Sequence, residues 1–129
     1  MDFSSKAQIV QKTILVVEDN ADAREMLSVI LAAEGFAVIT AEDGQQALEV
    51  VHSESPDLII TDIQMPKLDG IQLIKRLREE FASSTLPIVV MTAFGSGITK
   101  DALDAGASHS TPKPLHVDAL LNVVKQLLT

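Results

Sequence analysis

Short apolar runs, each closed by a polar residue, constrain this chain more than any other feature. Thr13-Ile14-Leu15-Val16-Val17 runs into Glu18-Asp19, Leu58-Ile59-Ile60-Thr61 into Asp62, and Ile88-Val89-Val90-Met91 into Thr92. A further segment, after Gly106, reaches Lys113. The three full runs are continuously apolar rather than alternating, the pattern of parallel strands covered on both faces. Parallel strands need crossovers, and segments of helical period lie between the runs. Ala23, Met26, Leu27, Ile30 and Leu31 recur at three- and four-residue steps, as do Ala47, Leu48 and Val51, and then Ile71, Ile74, Leu77 and Phe81. The last stripe, Val117, Leu120, Leu121, Val124, Leu127 and Leu128, is the clearest.

Punctuation agrees. Asn20 and Asp22 stand where a first helix needs a cap, Gly35 and Gly106 follow helix ends, and Pro56 and Pro87 precede strands. The pattern predicts a (βα)₅ unit over residues 12–129, a three-layer α/β/α domain with right-handed crossovers and helices on both sheet faces. Residues 1–11 are expected to form a polar N-terminal extension. Parallel strands would bring Glu18, Asp19, Asp62, Thr92 and Lys113 to one sheet edge, the carboxyl edge, where ligands of open α/β sheets bind. Three carboxylates, a hydroxyl and an ammonium suit a divalent metal and a phosphate.

Composition narrows the alternatives. At 129 residues a single domain with no second module is expected. No stretch approaches the roughly 18 consecutive apolar residues of a membrane span. The start, Met1-Asp2-Phe3-Ser4-Ser5-Lys6, lacks a secretory pattern, and cysteine is absent, so a cytoplasmic protein without disulfides or thiolate metal sites is expected. A net charge of −8 disfavours direct contact with nucleic acid or anionic lipid. His52, His109 and His116 are far apart, without the spacing of a metal site or triad, and read as surface or structural residues. The methionines read as core or loop packing.

Taken together, Glu18-Asp19, the stretch Asp62-Ile63-Gln64-Met65-Pro66-Lys67-Leu68-Asp69-Gly70, Met91-Thr92-Ala93 and Lys113-Pro114 resemble the receiver domain of two-component response regulators, chemotaxis regulators among them. The resemblance covers Lys12 to Thr129. It implies a flavodoxin-like sheet of order 2-1-3-4-5 and a phosphoacceptor, Asp62, that takes a phosphoryl group from a histidine kinase or histidine phosphotransfer protein. It also implies a magnesium (or manganese) ion bound by Asp19 and Asp62, by Glu18 through water and by the Gln64 backbone carbonyl. Thr92 and Lys113 would contact the phosphoryl oxygens. The implied product is a signal read by an unknown downstream protein, with no catalysis beyond the domain's own phosphorylation and dephosphorylation. A monomer or weak dimer through the fourth helix, fifth strand and fifth helix is implied as well.

Three departures from the family pattern stand out. Receivers usually carry Tyr or Phe three residues before the lysine, a ring that turns inward as the threonine is drawn to phosphate; here the position is Ser110. Pro112 removes a ladder donor, tolerable on an edge strand. Gly95-Ser96-Gly97 suggests a late start for the fourth helix, so activation is expected to reorder the Phe94–Lys100 loop with small change at Ser110. Alternative readings are a magnesium-dependent phosphohydrolase with an aspartate nucleophile, whose Asp-x-Asp motif would follow the first strand, and a flavin mononucleotide binder, which needs a Ser/Thr/Gly-rich loop where this chain is acidic. The receiver is either a stand-alone protein, which Met1 and the polar lead-in favour, or a piece excised from a longer regulator or hybrid histidine kinase.

Overall fold

The structure, a computed structural model, describes residues 11–65, 67–80, 85–93 and 97–129. Most of the expected N-terminal extension, Pro66, Phe81 and the Phe94-Gly95-Ser96 part of the expected switch loop lie outside the described residues. Strands and helices alternate through the chain: β1 (Thr13–Val17), α1 (Ala21–Ala33), β2 (Ala37–Ala41), α2 (Gly44–Glu54), β3 (Leu58–Asp62), α3 (Gly70–Glu80), β4 (Ile88–Ala93), α4 (Ile98–Ala105), β5 (His109–Lys113) and α5 (Val117–Leu127). The strands pair in parallel in the order β2-β1-β3-β4-β5. The order reverses beside β1, so the carboxyl ends of β1 and β3 open a crevice at that edge.

Period-two alternation divides the core. Ile14 and Val16 of β1, Leu58 and Ile60 of β3, and Val89 and Met91 of β4 pack with Leu27 and Leu31 of α1 and Leu120 and Val124 of α5. Leu15, Val17, Ile59, Ile88 and Val90 face the other way, onto Leu48 and Val51 of α2, Leu73, Ile74 and Leu77 of α3, and Ala102 of α4. Both faces of β1, β3 and β4 are therefore covered, which is why these strands are apolar throughout. Truncating one such side chain, Ile60→Ala for example, costs about 2–5 kcal/mol.

The amphipathic stripes hold with two corrections. Met26 is 51% exposed and Val117 37% exposed, although both fall on apolar stripes. Each helix rests on the sheet along a narrow line, Leu27 and Leu31 for α1 and Leu120 and Val124 for α5, so flanking apolar positions are left exposed. Met26 and Val117 instead line a groove of about 380 Å³ between these helices, which ends at Glu18 and Lys113.

Caps follow the local chemistry. The Asn20 side chain accepts the Ala23 N–H at 2.9 Å and starts α1, and Asp43 accepts the Gln46 N–H at 2.8 Å and starts α2. The chain leaving β3 is pressed against its surroundings. A Cβ on Gly70 would stand 2.5 Å from the Asp62 carbonyl oxygen, and one on Gly44 would overlap the Leu68 backbone. Gly70→Ala should therefore lower stability by about 1–3 kcal/mol, because backbone must move. Gly97→Ala, with nothing within 4 Å of the added carbon, should produce no loss. Urea midpoints of the two variants check this.

Candidate functional site

The sheet register decides what meets at the carboxyl edge. β1 and β3 are aligned with Val17 opposite Thr61, so Glu18-Asp19 and Asp62 emerge together. Asp62 is level with Met91 of β4, and Lys113 with Ala93. Carboxylate oxygens of Glu18, Asp19 and Asp62 lie within 4.8 Å of one another. Two unit charges at that separation repel by about 3–4 kcal/mol at an effective dielectric near 20.

The Lys113 ammonium offsets part of this. It donates to Asp62 Oδ2 at 2.6 Å and stands 3.8 Å from Glu18 Oε1. Burial pulls its proton affinity down, but the hydrogen bond to Asp62 and the charges of Asp62, Glu18 and Asp19 outweigh that and raise it. Asp62 Oδ1 receives a long N–H contact of 3.4 Å from Gln64. Glu18 is buried, and burial lifts its pKa above the ordinary glutamate value. The Asn20 N–H, donating to Oε2 at 3.2 Å, works against the rise, and the Asp62 charge adds to it. Asp19 is exposed.

Of the residues singled out in the sequence, Glu18, Asp19, Asp62 and Lys113 are thus brought together. Gln64 follows directly, with its backbone N–H turned to Asp62. Thr92 is 3% exposed and adjoins the cluster through β4, but its hydroxyl lies 3.5 Å from Ser110 Oγ on β5. A cleft of about 160 Å³ opens beside Asp62, lined by Ile63, Gln64, Met91, Ala93, Ile98 and Lys113. Ala93, as the small residue at the end of β4, leaves that approach open. His52 pairs with Glu80 across α2 and α3, away from the cluster.

One supporting residue was missed. Arg24 Nη1 donates to the Glu18 carbonyl at 2.8 Å, and Nη2 is 3.6 Å from Glu42. Arg24 thereby fixes the turn on which both acids stand. Nothing in its spacing distinguishes it from an ordinary helix-surface arginine.

The donor set fits a hard divalent cation: clustered carboxylate oxygens with more negative charge than one lysine balances. Glu18, Asp19 and Asp62 could hold it.

Comparison with known proteins agrees with the fold. The profile for the response regulator receiver domain matches residues 14–125. The response regulator MprA of Mycolicibacterium vanbaalenii is 40% identical over 116 residues, covering 89% of this chain and 49% of the relative. The chain thus spans about half the length of the curated relatives it matches. Among solved structures, the chemotaxis response regulator CheY4 of Vibrio cholerae aligns with a TM-score of 0.85 at 29% identity, covering 92% of this chain and all of the other. The receiver domain of a signal transduction histidine kinase from Syntrophus aciditrophicus aligns at 0.84 and 31% identity, covering 91% of this chain and 89% of that one. The chain belongs to the response regulator receiver domain family, and its flavodoxin-like fold and strand order are those the family resemblance implies. Receiver domains are generally signalling modules rather than enzymes that turn over a separate substrate.

The charge cluster makes metal binding and stability linked quantities. Added Mg²⁺ should raise the melting temperature at neutral pH, and Asp19→Asn should reduce that increment while stabilising the cation-free protein by on the order of 1 kcal/mol. Because the folded-state pKa of Glu18 is raised, its contribution to cation-free stability is present below the ordinary glutamate pKa and is lost as pH rises through the higher folded value. Protons compete with the cation at the same carboxyl. The Mg²⁺ increment should therefore shrink on acidification from neutral pH, and should start to do so above the pH at which an ordinary glutamate titrates. Thermal melts across pH, with and without Mg²⁺, measure both effects.

Proposed function

We propose that this chain is a phosphoacceptor receiver that takes a phosphoryl group from a histidine kinase or histidine phosphotransfer protein onto Asp62, with Mg²⁺, and passes the change to a downstream protein. The observation that carries the reading is the Lys113–Asp62 contact inside a triad of carboxylates at the carboxyl edge of a parallel sheet. The receiver unit runs over residues 12–129, with residues 1–11 ahead of it.

Asp62 is the nucleophile because it is the carboxylate that borders the open cleft and also touches the lysine. One of its oxygens forms a bond to phosphorus as the phosphorus–nitrogen bond of a phosphohistidine breaks. The histidine nitrogen keeps that electron pair and takes a proton from solvent. Lys113 now neutralises Asp62, and in the product it contacts a phosphoryl oxygen, following the charge from carboxylate to phosphoryl group. The Thr92 hydroxyl donates to a second phosphoryl oxygen. Asp19, Asp62, Glu18 through water and the Gln64 carbonyl would hold Mg²⁺, which would supply cancellation of negative charge between nucleophile and donor. The chain's remaining contribution is position: Gly70 lets the loop after β3 fold back against Asp62, and Arg24 fixes the turn bearing Glu18 and Asp19. The apolar groove that ends at Glu18 and Lys113 supplies a surface on which the donor protein can settle within reach of Asp62.

With Mg²⁺ and a small acyl-phosphate or phosphoramidate, intact-mass measurement should show one added phosphate on the unsubstituted chain and none on Asp62→Asn. Lys113→Ala should slow labelling by roughly 100-fold or more, since a positioned charge at the transferring group is removed. Undiminished labelling of Asp62→Asn would take the acceptor role away from this residue.

A further inference from the structure

Ser110 stands where this chain departs from its family, and its surroundings give it a role. In the register of β4 and β5, Val90 is opposite Ser110 and Thr92 is opposite Pro112, so Thr92 and Ser110 are diagonal neighbours on one sheet face. That face is the one on which Val90 packs with Ala102 of α4. The two hydroxyl oxygens are 3.5 Å apart, and either can donate. Thr92 is buried, and Ser110 Oγ is the one hydrogen-bond partner of its hydroxyl among the described residues. Without Ser110, the Thr92 hydroxyl would be a buried polar group lacking a partner, an unfavourable condition.

We propose that Ser110 is a positioning residue that holds the Thr92 hydroxyl in the unmodified protein and yields it to the phosphoryl group on Asp62. The inference rests on the reading of Asp62 as phosphoacceptor. Ser110 precedes the level of Thr92 along β5, whereas Asp62 and Lys113 lie at the carboxyl edge. A Thr92 hydroxyl turned to Ser110 is therefore turned back along the sheet, away from the edge where phosphate is formed. The contact is long, at the limit of hydrogen bonding, so little is lost when it breaks. A phosphoryl oxygen is a charged acceptor and forms the stronger bond. The Thr92 Oγ1 points one way at a time, back to Ser110 or forward to the carboxyl edge, so the two contacts exclude each other whichever hydroxyl donates in the first. The two partners compete, and the competition biases the domain toward its unmodified form. A population shift needs such a difference in contacts between the two states. Where the family pattern has a bulky ring this chain has a hydroxyl, and the bias is set by a hydrogen bond.

Beryllofluoride, a phosphoryl mimic, with saturating Mg²⁺ tests the idea when its affinity is measured by amide NMR on the full chain. Ser110→Ala should bind it about two- to threefold more tightly, the low end of what one hydrogen bond is worth, because the contact is long. Ser110→Thr, which keeps the hydroxyl, should match the unsubstituted chain. In a Thr92→Val background, Ser110→Ala should have no effect, because the competing hydroxyl is already gone. Unchanged or weaker binding by Ser110→Ala overturns the proposal, and so does an equal gain with and without the Thr92 hydroxyl, which a merely structural role for Ser110 would give. Asp62→Asn separates the two readings: mimic binding that survives this substitution removes the phosphoacceptor assignment itself, and this inference with it.

Discussion

Negative charge held at close quarters is the constraint around which this molecule is arranged. Three carboxylates from two strand ends sit within 4.8 Å, two of them on buried residues, and one ammonium reaches into them. A cluster of this kind opposes folding unless something else holds its members, and here the sheet does. Continuous apolar runs bury Ile14 to Val17 and Leu58 to Ile60 completely. Each buried side chain contributes about 1.5–3 kcal/mol. Against that sum, a repulsion of a few kcal/mol at the strand ends is tolerable, and it leaves the site with an unmet demand for positive charge. The rigid interior and the reactive edge are thus two results of the same strand pairing.

The loops carry the strain of this arrangement. Glu18 and Asp19 follow β1 directly and are held by backbone contacts: Glu18 N–H to the Ala41 carbonyl at 3.1 Å, and Arg24 to the Glu18 carbonyl. After β3 the chain doubles back, with Lys67 in the left-handed region at φ 67 and its ammonium 3.5 Å from Asp43. Gly70 then donates to the Ile63 carbonyl at 2.8 Å. A side chain at residue 70 would push on the backbone of Asp62 itself. The glycine before α3 is therefore a condition for the carboxylate's position as well as for the turn.

Much of this was legible in the chain. Strand identity could be read because strands covered on both faces leave no polar position to confuse the pattern, and strand order followed from the family resemblance. Glu18, Asp19, Asp62 and Lys113 were legible because each closes a strand, so topology alone brings them together. What could not be read depends on side-chain direction. Met26 and Val117 lie on apolar stripes yet point into an open groove, because a stripe gives a face and not the width of the contact. Arg24 looks like any helix-surface arginine until its guanidinium is seen on the Glu18 carbonyl. Ser110 read as a missing ring; that its hydroxyl stands against Thr92 depends on the diagonal spacing across β4 and β5, which no local pattern encodes.

The same limit applies to Arg78 and explains how α4 is held. The Arg78 side chain, on α3, donates through Nε and Nη2 to the Gly106 carbonyl at 3.1 and 2.8 Å, and burial lowers its pKa. Gly106 is the C-cap of α4, with φ +121, and a carbon added there would meet Arg78 Cγ at 2.8 Å. The far end of α4 is therefore fixed to α3 by a charged group on the carbonyl of its C-cap, a favourable placement for a cation. The near end differs: Gly97 provides no side-chain cap, and Ile98 borders the cleft beside Asp62. Ala102, in the middle of the helix, is buried on the sheet, and Ile98 in the first turn and Ala105 in the last pack against the same core. The first turn of α4 thus borders the same cleft as Asp62, while its last turn is tied to α3 through Arg78.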